Sequence, residues 1–509
     1  MKTMEYRTYE DARKNFKWNQ IWEVFDGNKE SFNIAHECID RHVGKGTAMR
    51  LKFDDGHTET YTFKEVSVLS SQFANFLESL GVSKGDRVAI MLDPCLEFYV
   101  SLFGTLKRGA IVVPCFMQFG PEALEYRIKD SEAKVLITTQ DRVKMIEPGL
   151  LPHVFAIGSE FRKQLERENA TFQISTSSAD VAVYQYTSGT TKQFPDAVKH
   201  SHRAITTLMP GTIFGRGLRE GDRFFSPSPP AWGHGLWHGT FGTLSLGIPI
   251  GAYSGKVEIE KIFEALEEFE IDTMLAMPTI FRMMKTSGIA NRYNLKLKKV
   301  GFTGEPMDMD TFNYIKDEFG ISPYSSYGSA EVGTLIQHYA GFEGWVVKPG
   351  SLGKPLPGLE VALIDKKENE VPAGAIGEIA LKRRGKWFRV KDLAFMDKDG
   401  YFWYKGRADD VIIASGWTIS PVEVEDMILR HPAVEEVAVV GVPGKQGGEI
   451  VKAFVVSKVK PSPELKKELQ EFVKNNLSKH EYPKEIEFRD RLPKTEGGKV
   501  KREELRERK

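Results

Sequence analysis

Residues 62–139 switch repeatedly between two periodicities, and that alternation limits the fold more than any other feature of the chain. Residues 62–80 (TFKEVSVLSSQFANFLESL) place Val66, Leu69, Phe73, Phe76, Leu77 and Leu80 at helical spacing, and Gly81 follows as a stop. Residues 87–92 (RVAIML) form a short apolar run of the buried-strand kind. Residues 96–108 predict a second helix, and residues 110–114 and 135–139 predict two more strands. Strands alternating with helices build a largely parallel sheet covered by helices. The rhythm returns with helices at 258–269, 278–286 and 308–319 and strands at 273–277 and 299–303. From about residue 351 it gives way to short strands at 361–364, 377–382 and 400–405, which read as antiparallel. Beyond the junction at 406–410 (GRADD) lies a segment with its own strands (434–442, 451–459) and helices (422–430, 463–477). It is long enough for a small core of its own.

Charge excludes one class of function. Lys plus Arg number 70 and Asp plus Glu number 70, so no net positive charge draws the chain to nucleic acid. Cys38, Cys95 and Cys115 fall in no metal-ligand spacing, and so sparse a set fits a reducing cytoplasm. The first residues are charged and lack the apolar core of a signal peptide. The longest apolar runs, such as 110–117, are too short to span a bilayer.

The chemistry is concentrated in residues 186–202 (YTSGTTKQFPDAVKHSH). Thr187, Ser188, Gly189, Thr190 and Thr191 put hydroxyls, backbone N–H groups and a flexible glycine into one loop, which are the parts that wrap phosphate oxygens. Val181, Val183 and Tyr184 predict a strand before it, and residues from His200 predict a helix after it.

Further signatures follow in order: PAWGHG at 230–235, GFTGEP at 301–306, YGSAE at 327–331, Gly377-Glu378, Lys391-Asp392, GRADD at 406–410, SGW at 415–417, PVEVE at 421–425 and PKTEGGK at 493–499. This ordered set resembles the adenylate-forming superfamily of acyl-CoA synthetases, nonribosomal peptide adenylation domains and firefly-type luciferases, and it covers nearly the whole chain. The N-terminal part looks most like the short- and medium-chain acyl-CoA synthetases.

The resemblance implies a large N-terminal domain, residues 1–408, of parallel-sheet α/β subdomains plus a small β-barrel-like part. A small mobile α+β C-terminal domain, residues 409–509, would follow. It implies an AMP-forming acid–CoA ligase using ATP, Mg2+ and coenzyme A, with a small-molecule carboxylic acid as its partner. No nucleic acid or membrane span is expected, the location is cytoplasmic, and a homodimer is allowed.

The reaction needs placement and charge neutralisation more than an enzyme nucleophile. By resemblance, Thr187 to Thr191 hold the β- and γ-phosphates, although the loop lacks the GxxxxGK[ST] pattern. Glu331 supplies a carboxylate to Mg2+, an ion that prefers oxygen ligands. Tyr327 lies on the adenine, within the run Tyr327, Gly328 and Ser329. Gly304, Glu305 and Pro306 form the backbone-lined adenine slot. Asp392 and Arg407 take the ribose hydroxyls. Lys499 places an ammonium between the substrate carboxylate and the α-phosphate. Asp409 is the hinge about which the small domain rotates between half-reactions. Gly416 and Trp417 line the entry for the pantetheine arm of CoA. Trp232, Gly233, His234 and Gly235 form the acyl pocket, where Trp232 favours an apolar tail or ring and His234 reads a polar group or closes the pocket.

The loop departs from the family pattern TSGTTGxPKG. It carries Lys192 in place of a glycine, is one residue longer, and has Asp196 where a lysine is expected. A carboxylate there repels polyphosphate, and Lys192 or Lys199 would have to restore the charge. This marks a divergent subgroup. The acid expected is small to medium, with hydroxy, branched and aryl acids open. A standalone adenylation enzyme loading a carrier protein and a catalytically inactive homologue are the alternatives. The short stretch after Lys499 holds no carrier domain, which favours CoA.

Overall fold

The computed structural model describes residues 6–186, 196–329, 332–408, 410, 412–414, 417–444, 449–477, 481–495 and 499–506. Among them the strands form five sheets.

The first α/β unit follows the alternation read in the sequence. The helix Phe63–Ser79 starts at a capping box, in which the Thr62 side chain accepts from the Glu65 N–H and Glu65 accepts from the Thr62 N–H. It buries Val66, Phe73 and Leu77. It lies against the helix Leu96–Arg108 so closely at Gly104 that a Cβ there would sit 2.6 Å from the Ser70 carbonyl oxygen. These helices cover a six-stranded sheet ordered His153–Ala156, Ala133–Thr138, Arg87–Ile90, Ile111–Pro114, Val181–Tyr186 and Ala197–Ser201. All its pairings are parallel except the last, Val181–Tyr186 with Ala197–Ser201.

That last pairing corrects the helix expected from His200. Residues 197–201 form an edge strand with Lys199 opposite Tyr184, and the helix begins only at Ala204. The sheet edge offers the polar run AVKHS a ladder of backbone hydrogen bonds, and this outweighs its weak helical signal. His202 ends the strand fully buried, where its Nδ1 accepts from the Ile34 N–H at 3.1 Å.

The second unit is a nine-stranded sheet whose inner strands are parallel. The Thr47–Phe53 strand, which the sequence pattern missed, joins it beside Ile250–Ser254. At the other side Lys299–Phe302 pairs in parallel with the start of Tyr324–Ser329. Tyr324–Ser329 then turns into an antiparallel hairpin with Gly333–Gln337. The expected β-barrel-like part is a four-stranded antiparallel sheet of Val361–Ile364, Ile376–Arg383, Lys386–Met396 and Phe402–Arg407. The C-terminal segment builds its own core from Val424, Ile428, Val439, Val451, Leu469 and Val473, beneath the strands Val434–Pro443, Glu449–Ser457 and Glu485–Phe488. Among the described residues no helix is long and apolar enough to cross a membrane.

Candidate active site

Of the residues read as nucleotide contacts, Tyr327 from the nine-stranded sheet and Asp392 and Arg407 from the four-stranded sheet come together. Tyr327 stands on the strand that changes from parallel to antiparallel pairing. Its neighbour Gly328 is required by packing, since a Cβ there would lie 2.0 Å from the Gly333 carbonyl oxygen. Gly328 and Ser329 are exposed at the tip of this hairpin. Glu331 lies outside the described residues, as do Thr187, Ser188, Gly189, Thr190, Thr191 and Lys192. What is fixed is their frame. Tyr186 ends its strand with its hydroxyl donating to Asp130 at 2.6 Å, and the Gln185 amide donates to the Ala231 carbonyl at 2.9 Å. The strand leading into the phosphate loop is thereby tied to the acyl segment. Lys199 is exposed and lies over the Tyr184 ring, 4.8 Å from its centroid.

Asp392 is the centre of a polar corner. The Tyr327 hydroxyl donates to its Oδ2 in a short bond, and the Tyr404 hydroxyl donates to Oδ1 at 3.4 Å. Arg407 stands opposite Asp392 in the ladder, with Nη1 3.7 Å from Oδ1. Burial pushes the Asp392 carboxyl up, while the Tyr327 bond and the positive charges of Arg407 and Lys499 pull it back. Lys499, more than a hundred positions away in sequence, therefore has its ammonium within electrostatic reach of Asp392. Its backbone is pinned by Thr495, whose N–H donates to the Lys499 carbonyl at 2.7 Å and whose Oγ1 accepts from the Lys499 N–H at 3.2 Å.

Two residues of this corner were not singled out as site residues in the sequence. Tyr404 gave no signal beyond its place three positions before Arg407. Glu378 lies in the Gly377-Glu378 signature but received no role. Its carboxylate accepts from the Lys391 backbone N–H at 3.1 Å and from Arg389 Nη1 at 2.5 Å. Lys391 has φ +62, a left-handed conformation costly for a residue with a Cβ. Glu378 thus clamps the strained peptide that aims Asp392.

Gly304 has φ +96, and a Cβ there would meet the Trp232 ring at 3.1 Å. The adenine-slot backbone and the acyl-pocket aromatic therefore touch. The Glu305 carboxylate turns to Thr279 Oγ1 (2.7 Å) and Arg282 Nη2 (2.5 Å), and Pro306 is exposed. His234 opens a π-helical turn, His234–Phe241, of the wide kind that recurs at functional sites. Its Nδ1 lies 3.1 Å from Ser228 Oγ, and burial with the Arg216 charge nearby lowers the imidazole to about 3, so it is neutral. Gly233 has room beside it. Gly235 has none, since a Cβ there would meet the Pro229 carbonyl oxygen at 2.3 Å. Gly235 is thus required by packing against the 228–229 turn.

Trp417 begins the short strand Trp417–Ile419, paired with Ile412–Ala414. Gly416 and Asp409 lie outside the described residues. Around this junction Arg502 grips Glu425 with both carboxylate oxygens at 2.7 Å, and Arg506 holds Asp410 at 2.6 Å.

Parallel α/β sheets and a buried carboxylate approached by a C-terminal lysine are compatible with the ATP-dependent ligase that the ordered signatures led us to expect. Comparison with known proteins agrees. The family model for AMP-binding enzymes matches residues 39–386, and that for the AMP-binding enzyme C-terminal domain matches residues 423–499. Acetyl-coenzyme A synthetase of Bacillus subtilis (strain 168) is 33% identical over 98% of this chain and 95% of its own length. The crystal structure of an acyl-CoA synthetase from Brucella canis shares 31% identity with a TM-score of 0.78, covering 98% of both chains. That of the anthranilate CoA ligase AuaEII in complex with anthranoyl-AMP shares 27% identity with a TM-score of 0.87, covering 96% of this chain and 98% of the other. The chain belongs to the AMP-binding, adenylate-forming enzymes, and within them it is an AMP-forming acyl-CoA synthetase. Enzymes of this kind use ATP with Mg2+ and CoA.

Proposed function

We propose that the protein activates a small carboxylic acid with Mg-ATP and passes the acyl group to CoA, with the roles assigned by resemblance. The substrate carboxylate oxygen attacks the α-phosphorus, and the bond to pyrophosphate breaks. The CoA thiolate then attacks the acyl carbon, and AMP leaves.

In this reading adenine lies between Tyr327 and the Gly304–Pro306 backbone, Asp392 and Arg407 hold the ribose, and residues 187–191 hold the β- and γ-phosphates. Glu331 would give a carboxylate to Mg2+, which would shield phosphate charge, and Lys499 would neutralise charge at the reacting centre. The observation that supports this is the approach of Lys499 to Asp392, the neighbourhood the first half-reaction would need. The second would follow rotation of residues 409–509 against 1–408 about Asp409, turning Gly416 and Trp417 toward the pantetheine arm. The free state of Cys38, Cys95 and Cys115 supports action in the cytoplasm.

The test is pyrophosphate and AMP release with Mg-ATP over a panel of straight, branched, hydroxy and aryl acids, each with and without CoA. CoA-dependent turnover on one subset of acids is the expected result. Pyrophosphate release indifferent to CoA would point to a carrier-protein acceptor. No release from folded, ATP-binding protein would leave an inactive homologue.

A further inference from the structure

Next to the predicted adenylate slot lies a cavity whose lining leaves several polar atoms without a partner among the described residues. It is lined by Gly211, Arg216, His234, His238, Thr303 and Ser326, together with Gln337. A second hollow shares Arg216, Ser326 and Gln337 with it. Thr303 directly precedes Gly304 and Ser326 directly precedes Tyr327, so the cavity adjoins the slot. Two π-helical turns, Gly211–Gly215 and His234–Phe241, bring Arg216 and the histidines to it. The first measures about 10 Å3 and the second about 20 Å3, room for small groups of water size rather than for an alkyl tail.

Four buried polar atoms on this lining have no hydrogen-bond partner: Arg216 Nε, His234 Nε2, His238 Nδ1 and Gln337 Nε2. Buried polar groups are almost always paired, so four orphans around one cavity call for a ligand. Arg216 Nη2 donates to Thr212 Oγ1 and Nη1 donates to the His238 carbonyl at 3.3 Å. Among the described residues no carboxylate pairs with it, and burial alone pulls the guanidinium down to about 9, still charged at neutral pH. A buried cation without a counter-charge is costly. Both histidines are held neutral by burial and by this same cation. The other cation at the rim, Lys299, is neutralised by Asp222 at 2.6 Å. The lining is thus one positive charge with no carboxylate paired to it among the described residues, beside three side chains with unpartnered nitrogens that can turn a donor inward, which suits an oxyanion.

We propose that the acid this enzyme activates is short and carries a second carboxylate, which Arg216 receives at the far end of the acyl pocket. The inference rests on the ligase reading above. It makes Arg216 the residue that selects substrate, with His234, His238 and Gln337 supplying further hydrogen bonds.

The experiment measures kcat/KM for CoA-dependent AMP release with malonate, succinate and glutarate against propionate, butyrate, valerate, benzoate and 3-hydroxybutyrate. Wild-type enzyme should prefer the best diacid over monoacids of equal carbon count by about 100-fold. Arg216→Met should lose about that factor on the diacid while keeping or improving turnover of the monoacid. Arg216→Lys, which keeps the charge without the planar fork, should retain part of the preference and serves if the Met variant does not fold. A wild-type preference for monoacids overturns the inference and leaves the ligase reading intact. A preference for 3-hydroxybutyrate over every diacid overturns the second carboxylate and assigns the cavity to a hydroxyl. No turnover with any acid defeats the ligase reading, and this inference with it.

Discussion

The ribose corner and the acyl cavity lie side by side and treat charge in opposite ways. At the corner the Asp392 carboxylate is met by two phenol hydroxyls, a guanidinium and the approach of Lys499. In the cavity Arg216 meets, among the described residues, hydroxyl and carbonyl oxygens only, and three neighbouring side chains each leave an atom unpaired. In the proposed reading the corner serves ATP, and the protein balances it internally. In the same reading the cavity serves the acid, and the substrate completes its balance.

The largest test of this contrast is Lys499→Ala. Removing a charge that acts on the reacting centre should cut acid-dependent pyrophosphate release about 100- to 1,000-fold. Transfer of a preformed acyl-AMP to CoA should fall much less. Equal losses in both steps would remove Lys499 from the adenylation step and break the corner as drawn. Next in size is Asp392→Asn, which keeps the shape but loses the charged acceptor. The KM for ATP should rise about tenfold, while the ranking of acids stays unchanged. A changed ranking would mean that the two regions are not separable.

How far this site could be read from the sequence follows from the same division. The helices at 62–80 and 96–108 and the strands at 87–92, 110–114 and 135–139 were legible from period and from stops such as Gly81, whereas the helix Pro121–Ser131 between them was not read. The AVKHS strand was not, because an edge strand is decided by its partner and not by its own residues. Asp392, Arg407 and Lys499 were legible as an ordered series of signatures. Their meeting in space, with Tyr404 and the strained Lys391 held by Glu378, depends on sheet register that no local pattern carries. Arg216 stood in plain view as a lone charge in the apolar run 208–218, and such a residue is seldom buried unless paired. Nothing in the sequence says that this one is buried against a cavity.

Stability offers a smaller effect that sharpens the contrast. Arg216→Met removes an uncompensated charge and should leave the ligand-free enzyme as stable or raise it by about 1 kcal/mol. Tyr404→Phe removes one donor from a satisfied network and should cost about 1 kcal/mol. Urea unfolding of the two variants beside the wild type reads both. A loss of stability in Arg216→Met would mean that the protein itself balances the guanidinium.

The pH response separates the regions by sign rather than by size. The folded imidazole of His234 is depressed to about 3, so its contribution to stability is present above its ordinary 6.5 and is lost as pH falls from there toward 3. The folded carboxyl of Asp392 is raised above its ordinary 3.8. Its contribution is full below 3.8 and is lost as pH rises through the raised value. Acidification from pH 7 to 5 should therefore erode the advantage of wild type over His234→Asn, on the order of 1 kcal/mol or less per pH unit. For Asp392 the window opens above 3.8, so acidification toward pH 4 should move wild type in the favourable direction against Asp392→Asn. Unfolding free energies of the three proteins from pH 7 to 4 give two lines of opposite slope, each in its own window. Two lines of the same slope would show that the corner and the cavity titrate as one network, and the separation between nucleotide charge and acyl charge would fail.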